Sequence, residues 1–212
     1  MSVILINPNS TEAMTQSALH AARAAAPDLN IEGWTSKHGP VSIEGPEDGA
    51  RAIPPLLDLV TRASNEGAQA IILACFDDTG LSEAKAIAKC PVLSIGQSSF
   101  VLAALRPGSA AVITTVEDAV PVIQQNIVQQ GMAFSVTQVL AARVPVLTLE
   151  DDPEAAAEAF YRAAEGLDEG ISTVILGCAG AVTISERIDG VLSQKILDGV
   201  TSAARLARAV IA

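Results

Sequence analysis

Short apolar runs rich in β-branched residues alternate along this chain with longer, Ala-rich stretches of helical period, and that alternation points to an α/β architecture with parallel sheets. Strands are expected at Val3 to Ile6, Asn30 to Trp34, Ile71 to Ala74, Val92 to Ile95, Ala110 to Ile113, Val136 to Leu140 and Ser172 to Leu176. The first helix should run from an N-cap at Ser10 to about Ala26, with Met14, Ala18, Ala22 and Ala25 on its buried stripe. A second spans about 47–65, where Pro54-Pro55 should kink or restart it. Asp118 is placed to cap a later helix that tolerates Pro121 in its first turn, and Asp152-Pro153 opens another. Beyond the tight loop Gly177-Cys178-Ala179-Gly180 the pattern reads as helical to residue 212.

The strand runs also match each other in pairs. Val3-Ile4-Leu5-Ile6-Asn7 has the form of Ala111-Val112-Ile113-Thr114-Thr115, and Ala70-Ile71-Ile72-Leu73-Ala74-Cys75 that of Thr173-Val174-Ile175-Leu176-Gly177-Cys178. Both offsets are close to half the chain, as a duplicated α/β unit would give.

A formal charge of −11 disfavours nucleic acid and anionic membrane surfaces as partners. The apolar runs are of strand length, far short of the roughly 20 residues that cross a bilayer. With no basic leader in Met1-Ser2-Val3-Ile4, a cytoplasmic location is expected. His20 and His38 fit no metal-ligand spacing, so no protein-built metal site is expected. The segment from His38 to Pro46, long for a connector and rich in turn formers, is a candidate lid over a binding site.

Chemistry concentrates at two of the three cysteines. In open parallel sheets ligands bind beyond the carboxyl ends of strands, and Cys75 and Cys178 each stand immediately after an apolar strand. If the halves are related by an approximate two-fold, the thiols face each other across a cleft. Opposed thiols suit inversion at a carbon acid: a thiolate removes a proton from one face while a thiol supplies one to the other. Buried cysteines also serve as small apolar side chains, which is the reading for Cys90 before Pro91. Asp77 and Asp78 would raise a neighbouring thiol pKa unless turned away, and capping of a helix by Asp78 would turn one of them.

Several segments together carry a family resemblance: Ile6-Asn7-Pro8-Asn9-Ser10, His38-Gly39-Pro40 with Ser42-Ile43-Glu44-Gly45, Ala74-Cys75-Phe76-Asp77-Asp78 with Gly80-Leu81, Thr114-Thr115, Val144-Pro145-Val146-Leu147, Leu176-Gly177-Cys178-Ala179-Gly180 and Asp198-Gly199-Val200. Over nearly its whole length the chain resembles the hydantoin racemases of the aspartate/glutamate racemase superfamily. The resemblance implies two pseudo-symmetric Rossmann-like domains with the active site in the cleft between them, here 1–96 with about 197–212, and 97–196. It further implies cofactor-independent racemisation by Cys75 and Cys178, with Asn9, Ser10, Thr115, Ala179 and Gly180 holding substrate carbonyls, and a homo-oligomer. The expected substrate is a small carbon acid, a 5-substituted hydantoin or allantoin. Alternatives are an aspartate/glutamate-type racemase, a maleate-type isomerase, and a binding protein that kept only the fold. Gln97 stands where many relatives carry an acidic residue, and Glu117-Asp118 where Arg often follows the Thr-Thr pair, which leaves substrate preference open.

Overall fold

A computed structural model of the chain describes residues 2–211. Strands β1 (Val3–Asn7), β2 (Ile31–Thr35), β3 (Ala70–Leu73) and β4 (Val92–Ser94) form one parallel sheet in the order β2-β1-β3-β4. β5 (Ser109–Thr114), β6 (Val136–Ala141), β7 (Ile171–Gly177) and β8 (Lys195–Asp198) form a second, in the order β6-β5-β7-β8. The orders are the same, so the internal similarity has a structural counterpart: β1 corresponds to β5, and β3, which precedes Cys75, to β7, which precedes Cys178.

Both faces of each sheet are covered, which explains why the strands are continuously apolar rather than alternating. On β1 and β3, Val3, Leu5, Ala70 and Ile72 point into a central core with Ile175 and Val112 of the second sheet. Ile4, Ile6, Ile71 and Leu73 point away, against Leu56, Val60 and Ala63 of α2 (Pro46–Asn65) and Leu81 and Ala84 of α3 (Leu81–Ile87). The second sheet turns Ile113, Val174 and Leu176 outward onto α7 (Pro153–Ala164) and its neighbours. Helices α1 (Glu12–Ala25), α4 (Ile95–Ala104), α5 (Ala119–Gln129) and α9 (Gly199–Val210) supply the shared centre. α9 leaves the second sheet directly after β8 and packs against α1 and α4. The remaining helices, α6 (Thr148–Asp151) and α8 (Ser185–Ile188), are single turns near the second sheet. Among the described residues no helix is long and apolar enough to cross a membrane.

Five local expectations are corrected. α1 begins at Glu12 after Thr11, because the hydroxyl and N–H of Ser10 are both taken by the carbonyl of Pro40. Pro54 and Pro55 do not interrupt α2; the carbonyls they leave without donors belong to Ala50 and Arg51 on the exposed side, where water can serve them. Asp118 occupies the N-cap position of α5 without a side-chain cap bond. Lys195–Asp198 is a strand rather than helix, and the carboxylate of Asp198 caps α9 by accepting the N–H of Thr201 at 2.8 Å. Finally, β4 ends at Ser94 and α4 starts at Ile95 with no connecting loop.

Candidate active site

In each sheet the chain order reverses between the two central strands, β1 and β3 in one and β5 and β7 in the other. Loops leaving such a pair at their carboxyl ends diverge and leave a crevice. The two crevices meet. From the first sheet come Pro8, Asn9, Cys75, Phe76 and Asp77, and from the second Thr114, Thr115, Gly177, Cys178 and Ala179, all lining one cavity. Met14, Ile43, Ala119 and Val146 complete most of its wall. Its volume is about 30 Å³, enough to hold an ordered water.

Cys75 and Cys178 are both buried free thiols on this cavity. Thr79 Oγ1 lies 3.3 Å from Cys75 Sγ, which also accepts the backbone N–H of Asp77. Cys178 Sγ accepts the N–H groups of Gly180 and Ala181 in the 3-10 turn Ala179–Thr183 that follows it. Burial raises both thiol pKa values, and the charge of Asp77 adds to the rise at each; the N–H groups and the Thr79 hydroxyl oppose it. Cys178 is pushed up to about 12, and Cys75 is likewise far above the ordinary thiol range. Both are therefore thiols at neutral pH in the free protein. A thiolate formed on either would find donors already aimed at it.

The loop after β3 is held from the other half of the molecule. Asn126 and Gln130, one turn apart on the α5 side, reach across: Asn126 Nδ2 donates to the carbonyl of Asp77 at 2.7 Å and Gln130 Nε2 to Asp78 Oδ2 at 2.6 Å. The other oxygen of Asp78 accepts from the Ser94 hydroxyl and from the N–H of Gln97 at 3.1 Å. The capping role expected of Asp78 is real, but the helix is α4, not the adjacent α3. Asp78 adopts φ 53°, a left-handed conformation that Asp tolerates better than most residues. Asp77 has no such partners for its carboxylate. Burial, and then the charge of Asp78, push its pKa up to about 7.

Of the residues singled out for substrate contact, Asn9, Thr115 and Ala179 line the cavity together with both thiols, whereas Ser10 and Gly180 do not. Asn9 is oriented by its surroundings: its Oδ1 accepts from Asn7 Nδ2 at 2.8 Å and from the N–H of Thr11 at 3.0 Å. That leaves its amide N–H₂ toward the cavity wall, 3.5 Å from Met14 Sδ. Ser10 instead ties down the 38–46 segment through Pro40, and Gly180 serves Cys178. Gln97 and Glu117 also lie off the lining; the Gln97 side chain accepts from Lys85 Nζ at 2.7 Å. Sequence reasoning treated Asp77 only as a perturbation of the thiols and overlooked Met14 and Ile43 as cavity wall.

The segment 38–46 crosses from the first sheet to the second. Ile43 enters the cavity wall, and Glu44 Oε1 accepts the backbone N–H of Val146 at 2.9 Å. Pro40 and Val41 are held by Ser10 and Thr11.

Comparison with known proteins agrees with this geometry. Residues 3–207 match the Asp/Glu/Hydantoin racemase family. The chain is 34% identical to a hydantoin racemase of Rhizobium meliloti, the alignment covering 100% of this chain and 89% of that one. Among solved structures it is similar to the allantoin racemase from Klebsiella pneumoniae, with a TM-score of 0.93 and 29% identity over 100% of this chain and 87% of the other. The glutamate racemase from Francisella tularensis shares the fold, with a TM-score of 0.72 and 15% identity over 99% of this chain and 80% of that one.

Proposed function

We propose, from the premise that the chain belongs to the Asp/Glu/Hydantoin racemase family, that it racemises a 5-substituted hydantoin or allantoin through Cys75 and Cys178 without a cofactor. The observation that carries this reading is the cavity wall: two thiols on corresponding strand ends and, among the described residues, no Lys, Arg or His beside them. A free amino acid would bring a carboxylate that this wall has no cation to receive. A hydantoin or ureido carbon acid brings carbonyls and N–H groups and no fixed charge, and its C–H is more acidic than that of a free amino acid. The aspartate/glutamate-type reading is the weaker for that reason.

In the forward direction the thiolate of one cysteine takes the proton from the stereocentre, and the electron pair moves into the adjacent carbonyl to give an enolate. The other cysteine, as thiol, delivers its proton to the opposite face and becomes the thiolate, while the carbonyl re-forms. The two cysteines have exchanged protonation states and the centre is inverted. Asn9 Nδ2, Thr115 and the Ala179 backbone, all on the cavity, would hold the carbonyl oxygen on which charge develops. The 38–46 segment, which contributes Ile43 to the wall, would lift to admit the substrate, and its return would exclude water from the enolate.

Single-enantiomer 5-alkylhydantoins and allantoin, incubated in D₂O against enzyme-free blanks, test the reading by following optical activity and the C–H signal together. The wild-type protein should lose both. Cys75→Ala and Cys178→Ala should each lose inversion by about 10³-fold or more, yet exchange the proton of one enantiomer only, a different one for each variant. Inversion that persists in either variant would overturn the two-thiol mechanism, and a wild-type protein inert to every substrate would overturn the racemase reading itself.

A further inference from the structure

We propose that Asp77 is the specificity-determining residue of this cleft, its carboxylate accepting an N–H of the substrate's ring or ureido group. The inference rests on the racemase reading of the same site.

The two adjacent aspartates are used differently. Asp78 spends both oxygens on Ser94, Gln97 and Gln130. Asp77 lies in the cavity wall, and among the described residues its carboxylate makes no hydrogen bond and no ion pair. Its main chain is held from the second half of the molecule, the carbonyl accepting from Asn126 Nδ2. Among the described residues Asp77 is also the only charged side chain in that wall. The side chain is half-buried, and its carboxylate is left as a free acceptor on the cavity.

What arrives must donate. The other polar groups of the wall fit the carbonyl side of the substrate: the Asn9 amide donates, its oxygen being occupied by Asn7 and Thr11. Asp77 is thus the acceptor that complements an N–H, and hydantoins and ureides carry N–H groups next to the reacting carbon. Ionised Asp77 also raises the pKa of both thiols. An N–H bound to it shares that charge and eases thiolate formation when substrate is present.

The test compares a 5-alkylhydantoin with its N1-methyl and N3-methyl derivatives on the wild-type protein and on Asp77→Asn, with Asp77→Ala as a second variant and C–H exchange in D₂O as the readout. Wild type should disfavour one methylated isomer by about tenfold or more in kcat/KM, the usual scale for losing a hydrogen bond to a charged group. Asp77→Asn should raise KM for the parent hydantoin about tenfold, leave kcat undiminished because the repelling charge has gone, and shrink the discrimination between parent and methylated substrate. The Ala variant should abolish that discrimination. If wild type treats all three hydantoins alike, or if the variants keep its KM and its discrimination, this assignment is overturned while the racemase reading stands. Wild type inert to all of them overturns both.

Discussion

Glu44 Oε1 accepts the N–H of Val146 at 2.9 Å, joining two residues that lie 102 apart in sequence and on opposite sides of the cleft. Val146 is buried, and without Glu44 its N–H would lose its acceptor. The same carboxylate oxygen takes the Ser42 hydroxyl at 3.3 Å, so one side chain both shapes the segment and fastens it across the cleft.

Glu44→Ala should therefore loosen the 38–46 segment without touching the thiols. A lost bond of this kind costs about 1–3 kcal/mol, which in a chain of this size corresponds to a fall in Tm of roughly 2–12 °C. Limited proteolysis should cut within 38–46 several-fold faster in the variant than in wild type, and a saturating hydantoin should slow the cut in both. The same digestion rate in both proteins would show that the bond does not hold the segment down.

Asp77 makes stability depend on pH in a particular sense. Its folded pKa of about 7 lies above the ordinary value of 3.8, so folding favours the protonated form. Wild type should be most stable, as far as this group is concerned, below about pH 4, and should lose that contribution as pH rises towards 7 and beyond. Between pH 5 and pH 8 the loss is on the order of 2–3 kcal/mol. Urea unfolding at both pH values should show stability falling by that much more in wild type than in Asp77→Asn, since Asp78 and Glu150, whose pKa values burial also raises, remain in both. Parallel pH dependence in the two proteins would contradict the burial of this carboxylate.

Gly96→Ala should be severe. A Cβ at Gly96 would stand 2.4 Å from the carbonyl oxygen of Phe76 and 2.5 Å from Asp78 Oδ1, both in the loop that carries Cys75 and Asp77. Backbone must shift to admit it, at a cost of about 1–3 kcal/mol, and the shift falls on the loop that carries Cys75. Thermal melting should drop by several degrees, and racemisation at a temperature where the variant is fully folded should drop at least tenfold. Unchanged activity would mean that the loop tolerates displacement.

How far the fold could be read in advance differed from element to element, for physical reasons. β1, β3, β5 and β7 are central strands buried on both faces, and their unbroken apolar runs declare them. β8 is four residues long and begins with exposed Lys195, so its composition does not distinguish it from a helix end. α4 escaped because it starts in the residue after β4 and is buried on several sides, Ile95, Ser98, Ser99, Phe100 and Ala103 all lying inside, which leaves no clear periodic stripe. The two cysteines were legible because their position after a strand is repeated. The division of labour between Asp77 and Asp78 was not, since it is decided by Ser94, Gln97 and Gln130, which are distant in sequence. Ser10 and Thr11 were confused for the same kind of reason: the group that claims the Ser10 hydroxyl is Pro40, thirty residues away.

The placement of α9 bears on how such a chain is made. Val200, Ala203, Ala204 and Ala207 fill a core whose other walls include Val3, Leu5 and Ile72, so residues synthesised late cover residues synthesised much earlier. A nascent chain reaching only to Gly199 would carry both sheets with that shared face uncovered, an apolar surface attractive to other nascent chains and to chaperones. The two halves repeat one topology, yet the core of the first stays open during translation until a helix that follows the second has been made.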